Sequence, residues 1–304
     1  MKILVTGGYG FIGSYVAERF AKENHEIFII DNLRTGKKSN VLFAHTGYVV
    51  DVEDEACEQI FQTHQFDIVV HLAAQVSVAA SIVSPIEDAN INIIGLLNML
   101  QLSTKYNVKK FIFASSAAVY GEQTTLPIVE QFSCIPQSPY GLSKYTGEQY
   151  CTIWNDFTSV STLSFRFSNV YGPRQNSDGE GGVVSIFMDC LQSNKPLLVY
   201  GDGNQTRDFV FVEDVASAIY EGAMSSLIGI YNLSTNKQTS VNDIIAVLDK
   251  LNPVDDVRYL EARVGDIKES VLDNRKLVSA LNWTPEYTID EGLTKTAEYF
   301  LTRV

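Results

Sequence analysis

Short runs of β-branched and apolar residues alternate with helix-like stretches over the first 170 residues of the chain. This alternation is typical of a parallel β-sheet whose strands are joined by crossover helices. Within the first helix-like stretch, Ile12, Val16 and Phe20 recur every four residues, which predicts one apolar helix face. The predicted strands are 3–6, 26–31, 47–50, 68–71, 110–115 and 161–167.

The segment 86–106 is apolar on nearly all sides. A helix of this kind is usually buried on two faces, and the predicted sheet can cover only one of them. We therefore expect a second subunit to cover the other face, in a homodimer formed through the helices at 86–106 and 139–155.

The pattern changes after Asn169, where glycine- and asparagine-rich loops separate shorter elements. A chain of 304 residues predicts about two domains at roughly 150 residues each. We assign residues 1–168, with a return segment near 207–235, to a Rossmann-type doubly wound α/β domain with a parallel sheet. Residues 169–206 and 236–304 are expected to form a smaller, mixed α/β domain.

Charge and composition narrow the class of partner. A formal net charge of −13 argues against a broad basic surface for nucleic acid or an anionic membrane. The first residues do not resemble a signal peptide, and the long uncharged stretch 89–104 contains three Asn and a Gln, which makes it a poor membrane span. The four cysteines lack the spacing of a metal site. We expect a cytoplasmic protein without a metal or a membrane anchor.

A glycine-rich turn directly follows the first predicted strand and opens the first predicted helix. Its G-x-x-G-x-x-G pattern lets the backbone approach a pyrophosphate, which the free N–H groups of a helix N-terminus attract. The next strand ends at Asp31, where a carboxylate accepts hydrogen bonds from both ribose hydroxyls and repels a 2′-phosphate. The pattern predicts NAD rather than NADP, with a ligand-free turn as the weaker alternative. We assign Gly7, Gly10, Phe11, Ile12 and Gly13 to the cofactor site.

Two Tyr-x-x-x-Lys pairs occur in the chain, and the spacing alone carries no information because 15 Tyr and 14 Lys in 304 residues predict about 0.7 such pairs by chance. Tyr106 ends a predicted helix and Lys110 opens the next strand. The second pair, Tyr140 and Lys144, follows the dipeptide Ser138-Pro139, a natural N-cap and first helical residue. Only the second pair is therefore expected to lie one turn apart on one helix face.

The second pair has a chemical use. The pKa of a tyrosine is normally near 10, and it must fall by about three units, roughly 4 kcal/mol, before the side chain can act as a base at neutral pH. One cation at about 4 Å in an effective dielectric of about 20 contributes that much. Lys144 and a positively charged nicotinamide ring can supply it. Ser116 ends a strand at the edge where open parallel sheets bind ligands, so we predict Ser116, Tyr140 and Lys144 as a catalytic set. A solvated Tyr–Lys contact is the alternative.

With these motifs the sequence resembles the extended short-chain dehydrogenase/reductases, and among them the nucleotide-sugar 4-epimerases of the UDP-glucose 4-epimerase type. The resemblance runs nearly from end to end. The segments that carry it are 6–13, 71–75, 115–121, 138–144, 169–175, 201–209 and 263–266.

The resemblance implies roles for individual residues. Tyr140 would be the base, Ser116 its hydroxyl partner and Lys144 the cation that also holds the nicotinamide ribose. The cofactor would contact Asp31 and Asn32 at its adenosine ribose, Asp51 and Val52 at its adenine, and Ala73, Ala74 and Gln75 along the cleft. A UDP-sugar would contact Asn169, Arg207 and Arg263 at its diphosphate, Leu198, Val199 and Tyr200 at its base, and Asp266 at its ribose. Without the surrounding motif, Arg207 would be interpreted as a surface ion pair with Asp208.

The implied activity is 4-epimerisation of a UDP-sugar through a transient 4-keto intermediate. Ala117-Ala118 stands where 4,6-dehydratases carry Asp-Glu and hexuronate decarboxylases carry a Glu, which disfavours both activities. Ser270 stands where some hexose-only epimerases have a bulky aromatic residue. UDP-GlcNAc/UDP-GalNAc is therefore expected beside UDP-glucose/UDP-galactose as a substrate pair.

Other functions stay open from the sequence. A UDP-glucuronate 4-epimerase is the second interpretation, because Arg174 could face a uronate carboxylate. Another NAD-dependent sugar-nucleotide oxidoreductase comes next. A non-catalytic NAD-binding sensor is the alternative from a different class of protein, and the intact set of Ser116, Tyr140 and Lys144 weighs against it.

Overall fold

A computed structural model describes residues 1–176, 182–262 and 267–301, in which strands and helices alternate along the chain. The strands are β1 (Lys2–Thr6), β2 (Glu26–Asp31), β3 (Thr46–Val49), β4 (Ile68–His71), β5 (Lys110–Ser116), β6 (Ser161–Phe167), β7 (Asn169–Tyr171), β8 (Leu197–Tyr200), β9 (Thr206–Arg207), β10 (Phe209–Phe211), β11 (Gly229–Leu233), β12 (Thr239–Ser240) and β13 (Val257–Leu260). The α-helices are α1 (Phe11–Lys22), α2 (Ala56–His64), α3 (Val78–Val83), α4 (Pro85–Ala89), α5 (Gly95–Lys105), α6 (Pro139–Phe157), α7 (Val183–Gln192), α8 (Val212–Met224), α9 (Val241–Leu251), α10 (Arg275–Leu281) and α11 (Ile289–Leu301).

Seven strands form one parallel sheet in the order β11-β6-β5-β4-β1-β2-β3. The chain winds outward from β1 in both directions, and the register pairs Thr6 with Ile30 on one side and with His71 on the other. The carboxyl ends of these strands therefore meet beside β1, where doubly wound sheets bind ligands. The predicted Rossmann-type α/β fold is confirmed, and the six predicted strands match β1–β6 to within one residue at each end.

The inner strands of this sheet are buried on both faces, as expected of a parallel sheet covered by helices, whereas the edge strand β3 is largely exposed. On one face Ile3, Val5 and Ile29 pack in a cluster with side chains of α1 and α8. On the other face Leu4 and Phe28 pack in a cluster with side chains of α2, α5 and α6. The helix α6 is thereby held against the sheet beside β5 and β6.

After β6 the chain builds a smaller, mixed α/β region with a core of its own. Strand β8 pairs with β13 and β7 with β10, both in parallel, and β9 pairs with β12 in antiparallel. Side chains of α7, α9 and α11, including Phe187, Ile244 and Leu293, pack over this region. The chain returns to the central sheet where β11 pairs with β6. The domain boundaries given above stay a prediction.

The predicted apolar helix at 86–106 consists of α4, a π-helical stretch (Asn90–Ile94) and α5. Leu96, Met99 and Leu100 are fully buried, whereas Ile86 is 76% exposed and Ile94 50% exposed. One face of this segment is thus covered within the subunit and the other is open. Across the described ranges, no helix is both long and apolar enough to cross a membrane.

Candidate active site

The glycine-rich turn between β1 and α1 has a backbone geometry that requires glycine at two positions. Gly7 has a φ of +68°, and a Cβ at Gly13 would lie 2.1 Å from the carbonyl oxygen of Gly7. No side chain caps the N-terminus of α1 at Gly10, and the first turn contains no acidic residue. Because the first amides of a helix lack intrahelical partners, the turn offers N–H groups to an anion. These residues fit the diphosphate of a dinucleotide.

Asp31 ends β2 beside this turn and is 6% exposed. Its carboxylate accepts hydrogen bonds from Tyr9 N at 3.0 Å and from Leu33 N at 2.8 Å, which fix its orientation. A carboxylate accepts about four hydrogen bonds, so both oxygens can also accept from ribose hydroxyls. A Cβ at Gly36 would lie 2.8 Å from this carboxylate, so the glycine keeps the approach open.

The residues predicted at the adenine differ in their exposure. Asn32 Nδ2 donates to Asp51 Oδ1 at 2.6 Å, so the structure brings these two predicted residues together. The Val52 side chain is buried, and a Cβ at Gly95 would lie 2.6 Å from Val52 Cγ2. The side chain of Val52 therefore belongs to the core, whereas Asp51 is exposed.

Strand β4 ends next to the glycine turn and leads into the predicted cleft residues Ala73, Ala74 and Gln75. Thr6 Oγ1 is hydrogen bonded to His71 Nδ1 at 2.9 Å and accepts from Ala73 N at 3.2 Å. Burial lowers the pKa of His71 to about 3, so its imidazole is neutral and serves as a structural partner of Thr6. The half-buried residues 73–75 follow directly, and a Cβ at Gly7 would lie 2.8 Å from Ala73 N, so this segment passes close to the glycine turn.

Helix α6 begins as the sequence predicts. Ser138 Oγ accepts from Gly141 N at 3.0 Å, and Pro139 is the first helical residue. Tyr140 therefore lies in the first turn, with Lys144 one turn later. Lys144 Nζ lies 6.0 Å from the centre of the Tyr140 ring.

The same lysine joins α6 to the end of β5. Lys144 Nζ donates to the Ala114 carbonyl at 2.9 Å, two residues before Ser116. Lys144 is 4% exposed; burial lowers its pKa to about 8, and the negative charge of Asp88 opposes this shift. The site thus places a phenol, a hydroxyl and a lysine that is mostly charged at neutral pH at one edge of the sheet.

The other Tyr-x-x-x-Lys pair has a different arrangement. Tyr106 follows the last residue of α5 and donates from its hydroxyl to Glu58 Oε1 at 3.0 Å. Lys110 opens β5 and donates to the Ser225 carbonyl at 3.3 Å. The prediction that this pair does not share a helix face is confirmed.

On the substrate side, the structure links two of the predicted diphosphate residues through the backbone. Asn169 opens β7 and is exposed, and its N–H donates to the Asp208 carbonyl at 2.9 Å, next to Arg207 at the end of β9. The Asp208 carboxylate accepts from Thr235 N at 2.9 Å and from Asn236 N at 3.0 Å. Asp208 is 2% exposed, so a surface ion pair does not describe this position.

The residues predicted at the nucleotide base lie on β8. Leu198 is 43% exposed and Tyr200 is half-buried, whereas the Val199 side chain is buried in the core of the smaller region. Strand β8 pairs with β13, which precedes the remaining predicted substrate residues. Those residues, Arg263 and Asp266, lie outside the described residues.

Arg174, which the sequence offers to a uronate carboxylate, contacts the cofactor helix in the structure. Its Nη2 donates to Glu18 Oε2 at 2.7 Å and its Nη1 to Ser14 Oγ at 3.2 Å. The guanidinium carbon also lies 4.2 Å from the centre of the Tyr15 ring. All three partners belong to α1.

Sequence reasoning missed the buried polar residues that contact α6. Asn92 and Asp88 are 2% and 1% exposed, and Asn92 Nδ2 donates to Ser143 Oγ of α6 at 3.1 Å. The asparagines of the segment 86–106 make it a poor membrane span, but they also have a structural role. A polar residue inside an apolar helix is itself a signal of buried hydrogen bonding, and it could have identified Asn92.

Fold and site together define a class of protein: a dinucleotide-binding α/β enzyme with a tyrosine and a lysine at the cofactor edge. Residues 3–233 match the NAD dependent epimerase/dehydratase family. The chain belongs to this family, and NAD is its cofactor. The resemblance read from the sequence is confirmed.

Solved structures of similar proteins cover nearly the whole chain. A UDP-glucose 4-epimerase of Thermotoga maritima with UDP-glucose is 39% identical, with a TM-score of 0.95 over 99% of this chain and 98% of that one. A UDP-glucose 4-epimerase of Thermus thermophilus in complex with NAD is 36% identical, with a TM-score of 0.94 over 100% of both chains. A UDP-N-acetylglucosamine 4-epimerase of Methanobrevibacter ruminantium, in complex with UDP-N-acetylmuramic acid, is 32% identical, with a TM-score of 0.95 over 100% of this chain and 99% of that one.

Proposed function

We propose that this chain is an NAD-dependent 4-epimerase of UDP-sugars that acts through a transient 4-keto intermediate. The observation that carries the proposal is the position of Tyr140 and Lys144 one turn apart on α6, with Lys144 bonded to β5 two residues before Ser116. The glycine turn follows β1 at the same carboxyl edge of the parallel sheet. Similar proteins that were solved with UDP-sugars support UDP as the nucleotide.

In the proposed mechanism Tyr140 takes the proton of the sugar 4-hydroxyl while Ser116 orients that hydroxyl. The positive charge of Lys144 stabilises the tyrosinate. Bound NAD supplies the acceptor, and later the donor, of the C4 hydride. The 4-keto sugar turns its opposite face to the cofactor, and Tyr140 then returns the proton to the 4-oxygen. The net reaction consumes no external reductant.

The diphosphate of the substrate requires placed donors, because a protein with a net charge of −13 offers no general attraction to an anion. We assign Asn169, Arg207 and Arg263 to this task, since an arginine can form two parallel hydrogen bonds to phosphate. Leu198 and Tyr200 would pack against the base, and Asp266 would bind the nucleotide ribose.

Two positions bear on the choice of sugar. Ser270 is half-buried and its N–H donates to the Thr206 carbonyl at 3.2 Å, so a small side chain stands beside the strand of Arg207. This favours acceptance of an N-acetyl group. The pairing of Arg174 with Glu18 favours neutral sugars over uronates, because the guanidinium is already engaged.

The test is incubation of the purified protein with UDP-glucose, UDP-GlcNAc and UDP-glucuronate without added reductant, followed by separation of the C4 epimers. We expect both neutral sugars to interconvert and the uronate to react more slowly. Failure of all three would overturn the proposal. Conversion of UDP-glucuronate alone would favour a UDP-glucuronate 4-epimerase. A gain of uronate activity in Glu18→Gln would show that the ion pair with Glu18 prevents Arg174 from binding the uronate carboxylate.

We also propose a homodimer through the helices at 86–106 and 139–155. Apolar side chains on these helices are open to solvent, with Ile86 76%, Leu142 54% and Ile153 46% exposed. Leu142→Glu should yield monomers by light scattering, whereas Leu42→Glu, at a 90% exposed site away from these helices, should not. A monomeric wild-type protein would contradict the proposal.

The cytoplasmic location is likewise a proposal.

A further inference from the structure

Asp88 is a buried carboxylate near the catalytic helix that the mechanism above does not use. It lies on α4 and is 1% exposed. Its Oδ1 accepts from Gln75 Nε2 at 2.8 Å and from Asn92 Nδ2 at 3.1 Å. Since a buried charge is costly unless it is compensated, its retention at this place needs a physical reason.

Asn92 links this carboxylate to the catalytic helix. Its Nδ2 donates to Ser143 Oγ at 3.1 Å, and Ser143 Oγ donates to the Tyr140 carbonyl at 2.9 Å. The Asn92 amide also bonds the backbone of Gln75, accepting from its N–H and donating to its carbonyl, both at 2.9 Å. Because a carboxylate only accepts hydrogen bonds, Asp88 fixes which side of the Asn92 amide faces α6.

Asp88 also acts on Lys144 through its charge, which favours the ammonium form against the effect of burial. Two other titratable groups near this lysine, His71 and Cys151, keep one protonation state around neutral pH. His71 of β4 is neutral with a pKa of about 3, and burial raises the pKa of Cys151 on α6 to about 12. Glu148 of α6 forms an ion pair with Arg166 of β6 at 2.7 Å. Tyr140 lies one helical turn before Lys144, whose Nζ is 6.0 Å from the centre of the Tyr140 ring.

We propose that Asp88 is a positioning residue for the Tyr140–Lys144 pair, since it orients the Asn92 amide beneath α6 and balances the ammonium charge of Lys144. The inference rests on the proposed roles of Tyr140 and Lys144. Two coupled groups lose their protons as a pair, and a fixed negative charge delays both losses. Removing the charge of Asp88 should therefore move the titration of the whole pair to lower pH.

The test compares Asp88→Asn with Asp88→Ala. The asparagine retains an acceptor for Asn92 and Gln75 but removes the charge, whereas the alanine removes both. Tyrosinate formation at position 140 is followed by ultraviolet difference spectra against the matching Tyr140→Phe protein. We expect the midpoint of tyrosinate formation to lie about one pH unit lower in both variants than in the wild type, with the pH optimum of turnover shifted in the same direction. The alanine variant should also lose kcat with little change in KM for the UDP-sugar.

Asp214→Asn is the matched control. Asp214 is another buried carboxylate, 2% exposed, which lies on α8 and accepts from Glu286 N at 2.8 Å. Its removal changes the net charge equally and should leave the Tyr140 titration in place. Asp88→Glu is a second variant. It keeps the negative charge, so Tyr140 should ionise at the same pH as in the wild type.

An unmoved titration in Asp88→Asn, or an equal shift in Asp214→Asn, would overturn the inference. A fall in thermal stability with no shift in titration would show a merely structural role and would also overturn it. The tyrosinate titration needs no substrate. It therefore separates a failure of this inference from a failure of the proposed epimerase activity.

Discussion

The two Tyr-x-x-x-Lys pairs share more than their spacing. Lys110 and Lys144 are both buried, at 5% and 4% exposure, and burial lowers the pKa of each to about 8. Lys110 nevertheless stands at the amino end of β5, and its tyrosine belongs to the preceding helix end. Lys144 and Tyr140 share one helix, and Lys144 contacts β5 near its carboxyl end.

The comparison teaches that burial and a shifted pKa do not identify a catalytic lysine. At the amino edge of the sheet, Lys110 donates to the carbonyl of Ser225, which follows the last residue of α8, and this is a structural task. At the carboxyl edge, Lys144 lies where the strand ends and helix N-termini of a doubly wound fold converge on a ligand. The edge of the sheet therefore distinguishes the structural position of Lys110 from the role proposed for Lys144.

The largest difference between the two pairs is expected when the phenol hydroxyl of each tyrosine is removed in turn. Tyr140→Phe should lower kcat by about 100- to 10,000-fold, because general acid–base catalysis contributes that much, while NAD stays bound. Tyr106→Phe should retain full turnover, since Tyr106 bonds Glu58 away from the site. Epimer separation and cofactor absorbance measure both. A fully active Tyr140→Phe protein would remove the distinction between the pairs.

Replacing the two lysines gives the next test. Lys144→Met should lower kcat by about 100-fold and raise the pH at which Tyr140 ionises, because the cation that stabilises tyrosinate is lost. Lys110→Met should leave both properties unchanged. The measurements are initial rates and the tyrosinate difference spectrum. Equal losses in the two variants would show that the sheet edge does not separate their roles.

The helix cap is a feature of only the second pair. Ser138→Ala should cost about 1 kcal/mol of stability and lower kcat several-fold, because the first turn carries Tyr140. Ser240 caps α9 by the same hydrogen bond, to Asp243 N at 3.0 Å. Ser240→Ala should cost similar stability without a change in kcat. Denaturant unfolding and kinetics measure the two quantities, and equal kcat losses would contradict the role of the cap.

The smallest effect on turnover is expected for Lys110, whose burial instead affects the pH dependence of stability. The pKa of Lys110 is about 8 in the folded chain and about 10.4 when unfolded, so the unfolded chain binds more protons between these values. Lys110 therefore makes the free energy of unfolding rise with pH over this window. Relative to Lys110→Met, the wild type should gain stability as pH is raised above about 8 in urea titrations. A constant difference between the two proteins would contradict the shifted pKa.

The cofactor side of the molecule could be predicted from the sequence because its signals are local. The strand, the glycine spacing and the following helix start occupy 12 consecutive positions, 2–13, and Asp31 ends the neighbouring strand. The N-cap at Ser138 is equally local, since a cap bonds an amide three residues later. Each of these features depends on neighbours in the chain, and the structure reproduces them.

The remaining features depend on contacts between distant segments. Nothing adjacent to Arg174 indicates that Glu18 would engage it, and the burial of Val52 and Val199 follows from packing partners far along the chain. The contact of Asn92 with Ser143 joins residues 51 positions apart. Such contacts become visible only once the sheet and α6 are in place.

The overlap at Gly13 has a consequence for surveys of sequence variants. A Cβ there would meet backbone, 2.1 Å from the Gly7 oxygen, so even alanine cannot be accommodated by moving a side chain. In a saturation-mutagenesis experiment, position 13 should tolerate as little change as position 140. The cause at position 13 would be steric and the cause at position 140 chemical. No conservative replacement could restore function at position 13, because no residue is smaller than glycine.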